Sequence, residues 1–351
     1  MLRPAPGRRG VKECNELRFI PIREAPRLSG GGASLRVFQR EMSPPSYIIR
    51  DYQAGDLEGL LALEGTAGAR GQTGCVISPS DVIESVSRRG HPFVNVIVAE
   101  RAGEIVGYAS VTPEVQLGRV VLRWRAHPDR PTGGIAGKLV DNGISRTLSL
   151  DIETVHVNIW KSSPAAERLL RRRGFRCVRR YLELRLDLSK THVTEMKKSR
   201  FRFRFLQPGG EEGLTHLQNR SFAGAWGYNP NTVEEIISRT RLPGCSRKDI
   251  IIAFESDKQP IGYCWTKTYH SEDEGSNERM GRIHMLGVDP DYRGRGIGRQ
   301  LLAAGISELA RKGLRIIEVT VDQENKTASA LYRSVGFKDW KSSLWYEKKA
   351  G

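Results

Sequence analysis

A gapless internal repeat constrains the fold of this chain more than any other feature. Three pairs of segments recur at one offset of 162 residues: residues 127–136 with 289–298, Gly143-Ile144-Ser145 with Gly305-Ile306-Ser307, and Gly174-Phe175 with Gly336-Phe337. Self-similarity at a fixed offset indicates that one structural unit occurs twice. The length of 351 residues suits two domains of ordinary size. We therefore predict two copies of one fold, over residues 46–188 and 200–351, joined by a polar linker at 189–199.

The second copy carries a glycine-rich turn, Arg293-Gly294-Arg295-Gly296-Ile297-Gly298. Residues 283–288 show a strand pattern and residues 300–310 carry apolar side chains at helical spacing, so the turn joins a strand to a helix. A helix N-terminus presents unpaired N–H groups and the positive end of the dipole, and glycine lets an anion approach the backbone. Two arginines add charge. This pattern predicts a pyrophosphate site, although the P-loop and dinucleotide motifs do not match.

The turn and its preceding Val288-Asp289-Pro290 resemble the acetyl-CoA motif of the GNAT N-acetyltransferases. Further positions agree with that family: strand 316–321, Asn325, Ala328, Leu331, Tyr332 and Gly336-Phe337. Upstream, residues 250–265 resemble the hairpin that precedes the cofactor strand. Within the family, residues 219–222 and 262–267 resemble mycothiol synthases, whereas residues 318–332 also resemble ribosomal-protein alanine acetyltransferases.

The resemblance implies an α/β architecture of two tandem GNAT folds, each a mixed, mostly antiparallel twisted sheet flanked by helices. It implies an acyltransferase that moves an acetyl group from acetyl-CoA directly to a primary amine, with catalysis in the second copy. The acceptor is either a small-molecule amine or a protein N-terminus. A non-catalytic acyl-CoA-binding regulatory module is the alternative from another class, but the intact turn and Tyr332 argue against it.

Acetyl transfer requires a neutral amine, a stabilised oxyanion and a proton for the departing thiolate. By the resemblance, Tyr332 donates that proton. The backbone of Leu286, Gly287 and Val288 would pair with the pantetheine arm as an added strand does, and the turn from Arg293 to Gly298 would bind the pyrophosphate. Asn325 resembles a residue near the cofactor, but asparagine after a strand is also a common turn former.

The general base is not fixed by the resemblance. Mycothiol synthases carry a carboxylate at the start of the cofactor strand, and Arg282 holds that position here. Strand alternation places Arg282, His284 and Leu286 on one face. His284 is therefore either a candidate base or a polar side chain that packs on the sheet without a catalytic role. Glu318 on the next strand and Glu278 in the preceding loop are the other candidates.

The first copy differs from the second at positions that correspond to the proposed cofactor site and proton donor. Pro131 replaces Arg293 and removes a cation and a backbone donor, and Leu170 stands in the place of Tyr332. We expect this copy to be degenerate and to form one wall of the substrate cleft. In the second copy, four residues between the first two helices are candidates for the acceptor cleft, either as a lid or as packing: Asn219, Phe222, Trp226 and Tyr228.

Composition narrows the choice of partners. A net charge of +16 is typical of proteins that bind nucleic acid. The arginines of residues 168–180, however, lack the interleaved series of stacking aromatics found in RNA-binding modules, which argues against that partner. Absence of a membrane-length apolar run or a signal-peptide core indicates a cytoplasmic protein. The cysteines, 5 in number, lack metal spacing, so no metal is expected. Residues 1–45 are rich in Arg, Gly and Pro without periodicity, which predicts a disordered extension.

Overall fold

The computed structural model describes residues 47–69, 75, 95–127, 134–148, 150, 152–190, 201–241, 245–256, 259–270 and 278–349. The predicted extension at 1–45, most of the predicted linker and Pro131 lie outside the described residues. Among the helices that are described, none is both long and apolar enough to cross a membrane.

The two copies share one order of elements. The first contains β1 (Ile48–Asp51), α1 (Leu57–Ala69), β2 (Asn95–Arg101), β3 (Glu104–Glu114), β4 (Arg119–Ala126), α2 (Ile135–Thr147), β5 (Thr154–Trp160), α3 (Pro164–Arg171) and β6 (Arg176–Asp187). The second contains β7 (Arg202–Phe205), α4 (Glu211–Phe222), α5 (Val233–Thr240), β8 (Ile250–Ser256), β9 (Gln259–His270), β10 (Arg279–Val288), α6 (Ile297–Arg311), β11 (Ile316–Asp322), α7 (Lys326–Val335) and β12 (Lys338–Lys349).

All the strands join in one sheet, in which the copies exchange their last strands. The order is β1-β2-β3-β4-β5-β12-β6-β11-β10-β9-β8-β7. Strand β12 of the second copy pairs with β5 of the first, and β6 of the first copy pairs with β11 of the second. The two exchanged strands also pair with each other, antiparallel. Residues 45–351 therefore form one compact unit.

A local pseudo-twofold axis passes between the exchanged strands. Tyr181 lies opposite Ser343, and Arg180 Nη2 donates to Ser342 Oγ across a separation of 162 residues. That separation is the offset of the sequence repeat, so equivalent positions of the two copies meet here. In each half the only parallel pairing among the described ladders, β4 with β5 and β10 with β11, lies beside antiparallel strands. The predicted tandem, mixed-sheet architecture is confirmed.

The second copy packs helices on both faces of its strands. On one face, called here the α6 face, Leu301, Ile306 and Leu309 are fully buried against the sheet, as their helical spacing predicts. On the other, the α4 face, Leu214 and Leu217 pack with Tyr263 and Trp265. The candidate site lies where β10 leaves its neighbour between these two layers.

Candidate functional site

Strand β10 separates from β11 at His284. The parallel ladder between them covers only Gly281–Ile283 opposite Ile317–Val319. In the ladder with β9, Ile283 lies opposite Thr266 and Met285 lies opposite Trp265, so His284 is the extra residue of a β-bulge. Beyond the bulge, residues 286–288 keep their pairing with β9 but have no ladder partner on the β11 side within the described residues. That free backbone edge can pair with the amides of an extended ligand.

The bulge also changes which side chains share a face. Leu286 packs with Ile283 and Val288 in the core cluster on the α6 face. His284 instead contacts Trp265 on the α4 face, with ring centroids 5.6 Å apart. The prediction that simple alternation places Leu286 beside Arg282 and His284 is therefore wrong, because an inserted residue reverses the alternation that follows it.

The glycine-rich turn has the conformation that an anion site requires. Gly294 and Gly296 have φ values of 76° and 78°, a left-handed region that L side chains enter at a cost of roughly 1–2 kcal/mol. A Cβ built on either glycine would meet nothing within 4 Å, so backbone conformation, not crowding, selects glycine. Gly296 is the N-cap of α6 without a side-chain cap. Its first-turn N–H groups are thus left for a ligand or for water.

Arginines anchor the turn to the C-terminal end of α4. Arg220 pairs with Asp289 at 2.7 Å and with Asp291 at 2.8 Å. Arg293 Nη2 donates to the carbonyl of Ser221 at 2.7 Å. Arg295 lies over the ring of Tyr292, 4.8 Å from its centroid. The turn is therefore fixed between the strand, the helix that follows it and α4.

Tyr332 on α7 has the properties of a proton donor. It is 6% exposed and contacts Phe337 edge-on at 5.8 Å. Burial raises the pKa of its phenol well above the ordinary value, so the hydroxyl stays protonated at neutral pH. Among the described residues, no side chain or backbone group forms a hydrogen bond with this hydroxyl. Asn325 begins the same helix and its Oδ1 accepts from Ala328 N at 3.0 Å, which is the capping role.

His284 lies on the α4 face, where its ring contacts Trp265 and part of its side chain is exposed. Desolvation and the positive charges of Lys267, Arg282 and Arg239 lower the pKa of His284 well below its usual value. The imidazole is therefore neutral at physiological pH and can accept a proton. Glu278 is exposed at the start of β10.

Glu318 is held by cations next to the bulge. It is buried and accepts hydrogen bonds from Arg185, Arg282 and Tyr269. Burial opposes its ionisation, but Arg282, Tyr269 and Arg185 outweigh that effect and lower its pKa. A carboxylate stabilised in this way is a weak base. Because Arg185 comes from β6, the first copy contributes a side chain to this cluster.

Three of the predicted cleft residues form one network. Asn219 Oδ1 accepts from Tyr228 Oη at 2.7 Å and from Asn231 N at 3.0 Å. Phe222 stacks on Tyr228 with ring centroids 5.2 Å apart. Trp226 lies apart from them, against Trp345 and His156 at 5.5 and 5.6 Å. The loop between α4 and α5 therefore has one end in the second copy and its tip against the first.

Arg119 of the first copy holds that tip. It is 6% exposed, its Nη2 donates to Gly227 O at 2.8 Å, and its guanidinium carbon lies 5.5 Å from the ring centroid of Trp226. Gly227 has φ 73°, and a Cβ there would lie 3.0 Å from Arg119 Nη1. Sequence reasoning missed Arg119, because nothing local links an arginine on a strand to a glycine that follows 108 residues later.

We expect Arg119→Met to loosen the loop without affecting the glycine-rich turn. Losing a hydrogen bond from a charged donor costs about 1.5–3 kcal/mol, which corresponds to roughly tenfold or more in local opening. Hydrogen exchange measured by mass spectrometry should therefore accelerate at residues 226–228 and stay unchanged at 293–298. Arg50→Met is the matched control, because Arg50 pairs only within the first copy. Equal exchange at 226–228 in wild type and Arg119→Met would contradict the role of Arg119.

In the first copy, the equivalent opening between strands is filled by the chain itself. Strands β4 and β5 pair only over Arg119–Val121 and Thr154–His156. Beyond that point Cys75 lies between them: its N–H donates to Trp124 O at 3.3 Å, and it forms an isolated antiparallel bridge with Ile159. Cys75 is fully buried. The backbone edge that is free in the second copy is thus occupied in the first.

Comparison with known proteins agrees with this architecture. The model of the acetyltransferase (GNAT) family matches residues 212–337. A mycothiol acetyltransferase of Amycolatopsis mediterranei is 30% identical over 260 residues, covering 71% of this chain and 83% of that protein. This chain belongs to the GNAT acetyltransferase family. It is therefore an acyltransferase.

Further GNAT relatives match nearly the whole described chain. A mycothiol acetyltransferase of Thermobispora bispora is 29% identical over 306 residues, covering 84% of this chain and 96% of the relative. A GCN5-related N-acetyltransferase of Sphaerobacter thermophilus aligns with TM-score 0.64 and 23% identity, over 88% of this chain and 96% of that one. A tandem GNAT protein from the clavulanic acid biosynthesis pathway aligns with TM-score 0.66 and 14% identity, over 87% of this chain and 99% of that one. The two structural likenesses show the shared tandem fold.

Proposed function

We propose that the second copy transfers an acetyl group from acetyl-CoA directly to a primary amine. The free backbone edge of β10 carries this proposal, because it runs from His284 to the glycine-rich turn. The pyrophosphate would bind the N–H groups of that turn, and the pantetheine amides would pair with residues 286–288. In the first copy Cys75 takes the equivalent edge, so we assign a single acetyl-CoA to each chain.

The residues around the bulge support a direct reaction. The amine nitrogen attacks the thioester carbonyl, and a backbone N–H near Leu286 stabilises the oxyanion that forms. His284 accepts the proton that the amine loses. As the C–S bond breaks, the electron pair stays on sulfur and Tyr332 donates the proton that completes the free thiol. In this scheme Glu318 orients Arg282, because its carboxylate already accepts hydrogen bonds from Arg282, Arg185 and Tyr269.

The charges beside His284 also favour the reactive form of the acceptor. An alkyl ammonium has an unperturbed pKa of about 10.4, so a neutral amine is the minor form in water at neutral pH. The desolvation and positive charge that lower the pKa of His284 act in the same direction on an amine bound beside it. The bound amine is thereby prepared for attack before any base acts.

A small-molecule amine is the acceptor that we favour over a protein N-terminus. The relatives that match most of the chain are named as mycothiol acetyltransferases, and mycothiol is a small molecule. Arg119 holds Trp226 and the loop between α4 and α5 against the first copy, and a loop fixed in this way favours a small acceptor over a polypeptide. Release of CoA thiol with mycothiol lacking its acetyl group, compared with an alanine-terminated peptide, distinguishes these acceptors.

Calorimetric titration of acetyl-CoA into the full chain tests the cofactor site. We expect binding at one site in wild type and none in the Arg293→Glu, Gly296→Glu double variant, because carboxylates and a strained backbone would face the pyrophosphate. Arg311→Glu, at the other end of α6, is the control for reversal of charge and should bind normally. Absence of binding in wild type would overturn the proposed function, and two sites would contradict the assignment of Cys75.

The pH dependence of kcat tests His284. Because the pKa of His284 is depressed in the folded protein, its neutral form is present above the ordinary histidine value of about 6.5 and is lost only below it. We therefore expect kcat to stay level down to about 6.5 and to fall at lower pH. His284→Ala should remove that acid limb and lower kcat about 100-fold. His216→Ala, exposed on α4, is the control, and an unchanged limb in His284→Ala would exclude His284 as the base.

A further inference from the structure

We propose that the acceptor carries an anionic group, a carboxylate or a phosphate, which binds Lys267 and Arg282 beside His284. This inference rests on the proposed function, since it specifies the amine that the same cleft would acetylate. The observations that carry it are the placement of these two cations and the hydrogen-bond donors around them that have no acceptor.

Lys267 and Arg282 lie directly opposite each other on neighbouring strands. They form a cross-strand pair in the β9–β10 ladder, on the same side of the bulge, and their side chains share the α4 face with Trp265 and His284. Like charges in directly opposed positions destabilise a sheet. Arg282 contacts Glu183 and Glu318, but Lys267 forms no ion pair with any residue in the described parts of the chain. An anionic ligand bound between the two cations would offset the repulsion that remains.

Donors outnumber acceptors at this place. Arg282 uses its Nη2 to contact Glu183 at 3.1 Å and Glu318 at 3.0 Å, but its buried Nε has no hydrogen-bond partner among the described residues. The same holds for the buried indole Nε1 of Trp265, whose ring contacts His284. Buried donors without acceptors are costly. Carboxylates and phosphates offer only acceptor atoms, and so they match this arrangement.

The charged side chains around Arg282 also favour an anionic ligand. Glu318 and Glu183 are the carboxylates that face Arg282, and each has a second partner: Arg185 contacts Glu318, and Thr320 donates to Glu183 at 2.7 Å. Lys267 and Arg239 add positive charge that acts on His284. The described surface around Lys267, Arg282 and His284 is therefore electropositive, a field that attracts anions and disfavours a purely cationic amine.

Binding of simple amines to the protein saturated with CoA tests the inference without requiring turnover. O-phosphoethanolamine and β-alanine carry the anionic group, and ethanolamine and β-alaninamide are the matching amines that lack it. In calorimetry we expect each anionic amine to bind at least about tenfold more tightly than its counterpart, the gain given by hydrogen bonds to charged groups. Comparison of the two anionic amines distinguishes phosphate from carboxylate.

Lys267→Gln should reduce the preference for the anionic amine to near unity while CoA binding stays unchanged. Arg282→Gln provides a second variant, and Lys190→Gln, an exposed lysine paired with Asp187, is the control. Equal binding of the amines with and without the anionic group, no measurable binding of either anionic amine, or an unchanged preference in Lys267→Gln would overturn the proposal. Failure of CoA itself to bind would instead count against the proposed function.

Discussion

A fragment that begins at residue 200 should not fold, although it contains every residue assigned to catalysis. Its strand β11 would lose β6 along its whole length, and β12 would lose both of its neighbours. Leu182, Leu184 and Leu186 of β6 are buried in the core of the second copy, and each such side chain contributes about 1.5–3 kcal/mol. Their sum alone is comparable with the whole stability of a typical domain, about 5–15 kcal/mol.

Circular dichroism on heating and on denaturant titration would measure this effect. The full chain should show one cooperative transition, and the fragment 200–351 should show none or should be insoluble. Co-expression of residues 1–190 with residues 191–351 is the control, because it restores both exchanged strands without a covalent link. A fragment that unfolds cooperatively by itself and binds acetyl-CoA would contradict the structural dependence of the second copy on the first.

Replacing Tyr332 with Phe should lower kcat about 100-fold or more, the usual contribution of a positioned proton donor. The affinity for acetyl-CoA should hardly change, because phenylalanine keeps the ring contact with Phe337. Stability should also be preserved, since the hydroxyl has no hydrogen-bond partner in the described part of the chain. Steady-state kinetics gives kcat, and calorimetry gives the affinity.

Tyr292→Phe is the matched control for this substitution. Tyr292 also belongs to the second copy but lies beside Arg295 at the turn, so losing its hydroxyl should leave kcat close to wild type. An unchanged kcat in Tyr332→Phe would mean that water protonates the thiolate. A large loss of acetyl-CoA affinity in that variant would mean that Tyr332 binds the cofactor.

Local signals in the sequence predicted much of the fold and part of the site. The gapless repeat and the turn from Arg293 to Gly298 depend on nearby residues, and both have the predicted form. Tyr332 is buried on the predicted helix. Helical and strand periodicity constrains which face of an element is buried. These features can therefore be predicted from residues that are close in sequence.

Other features depend on distant residues and escaped sequence reasoning. The leucines of β6 would show the same alternation whether that strand paired within its own copy or with β11, so the exchange of strands left no local mark. The bulge at His284 likewise has no proline or glycine to signal it, and it reversed the face predicted for Leu286. Contacts such as Arg282 with Glu183, 99 residues apart, depend on the exchange itself.

The exchange of β6 and β12 has an evolutionary consequence. After a duplication, either copy can normally be lost without damage to the fold of the other. Here each copy supplies a strand that completes the other, so a deletion of one copy removes both. Substitutions can accumulate elsewhere in either copy, but selection must retain both exchanged strands. The two copies are therefore inherited together, whichever of them carries the chemistry.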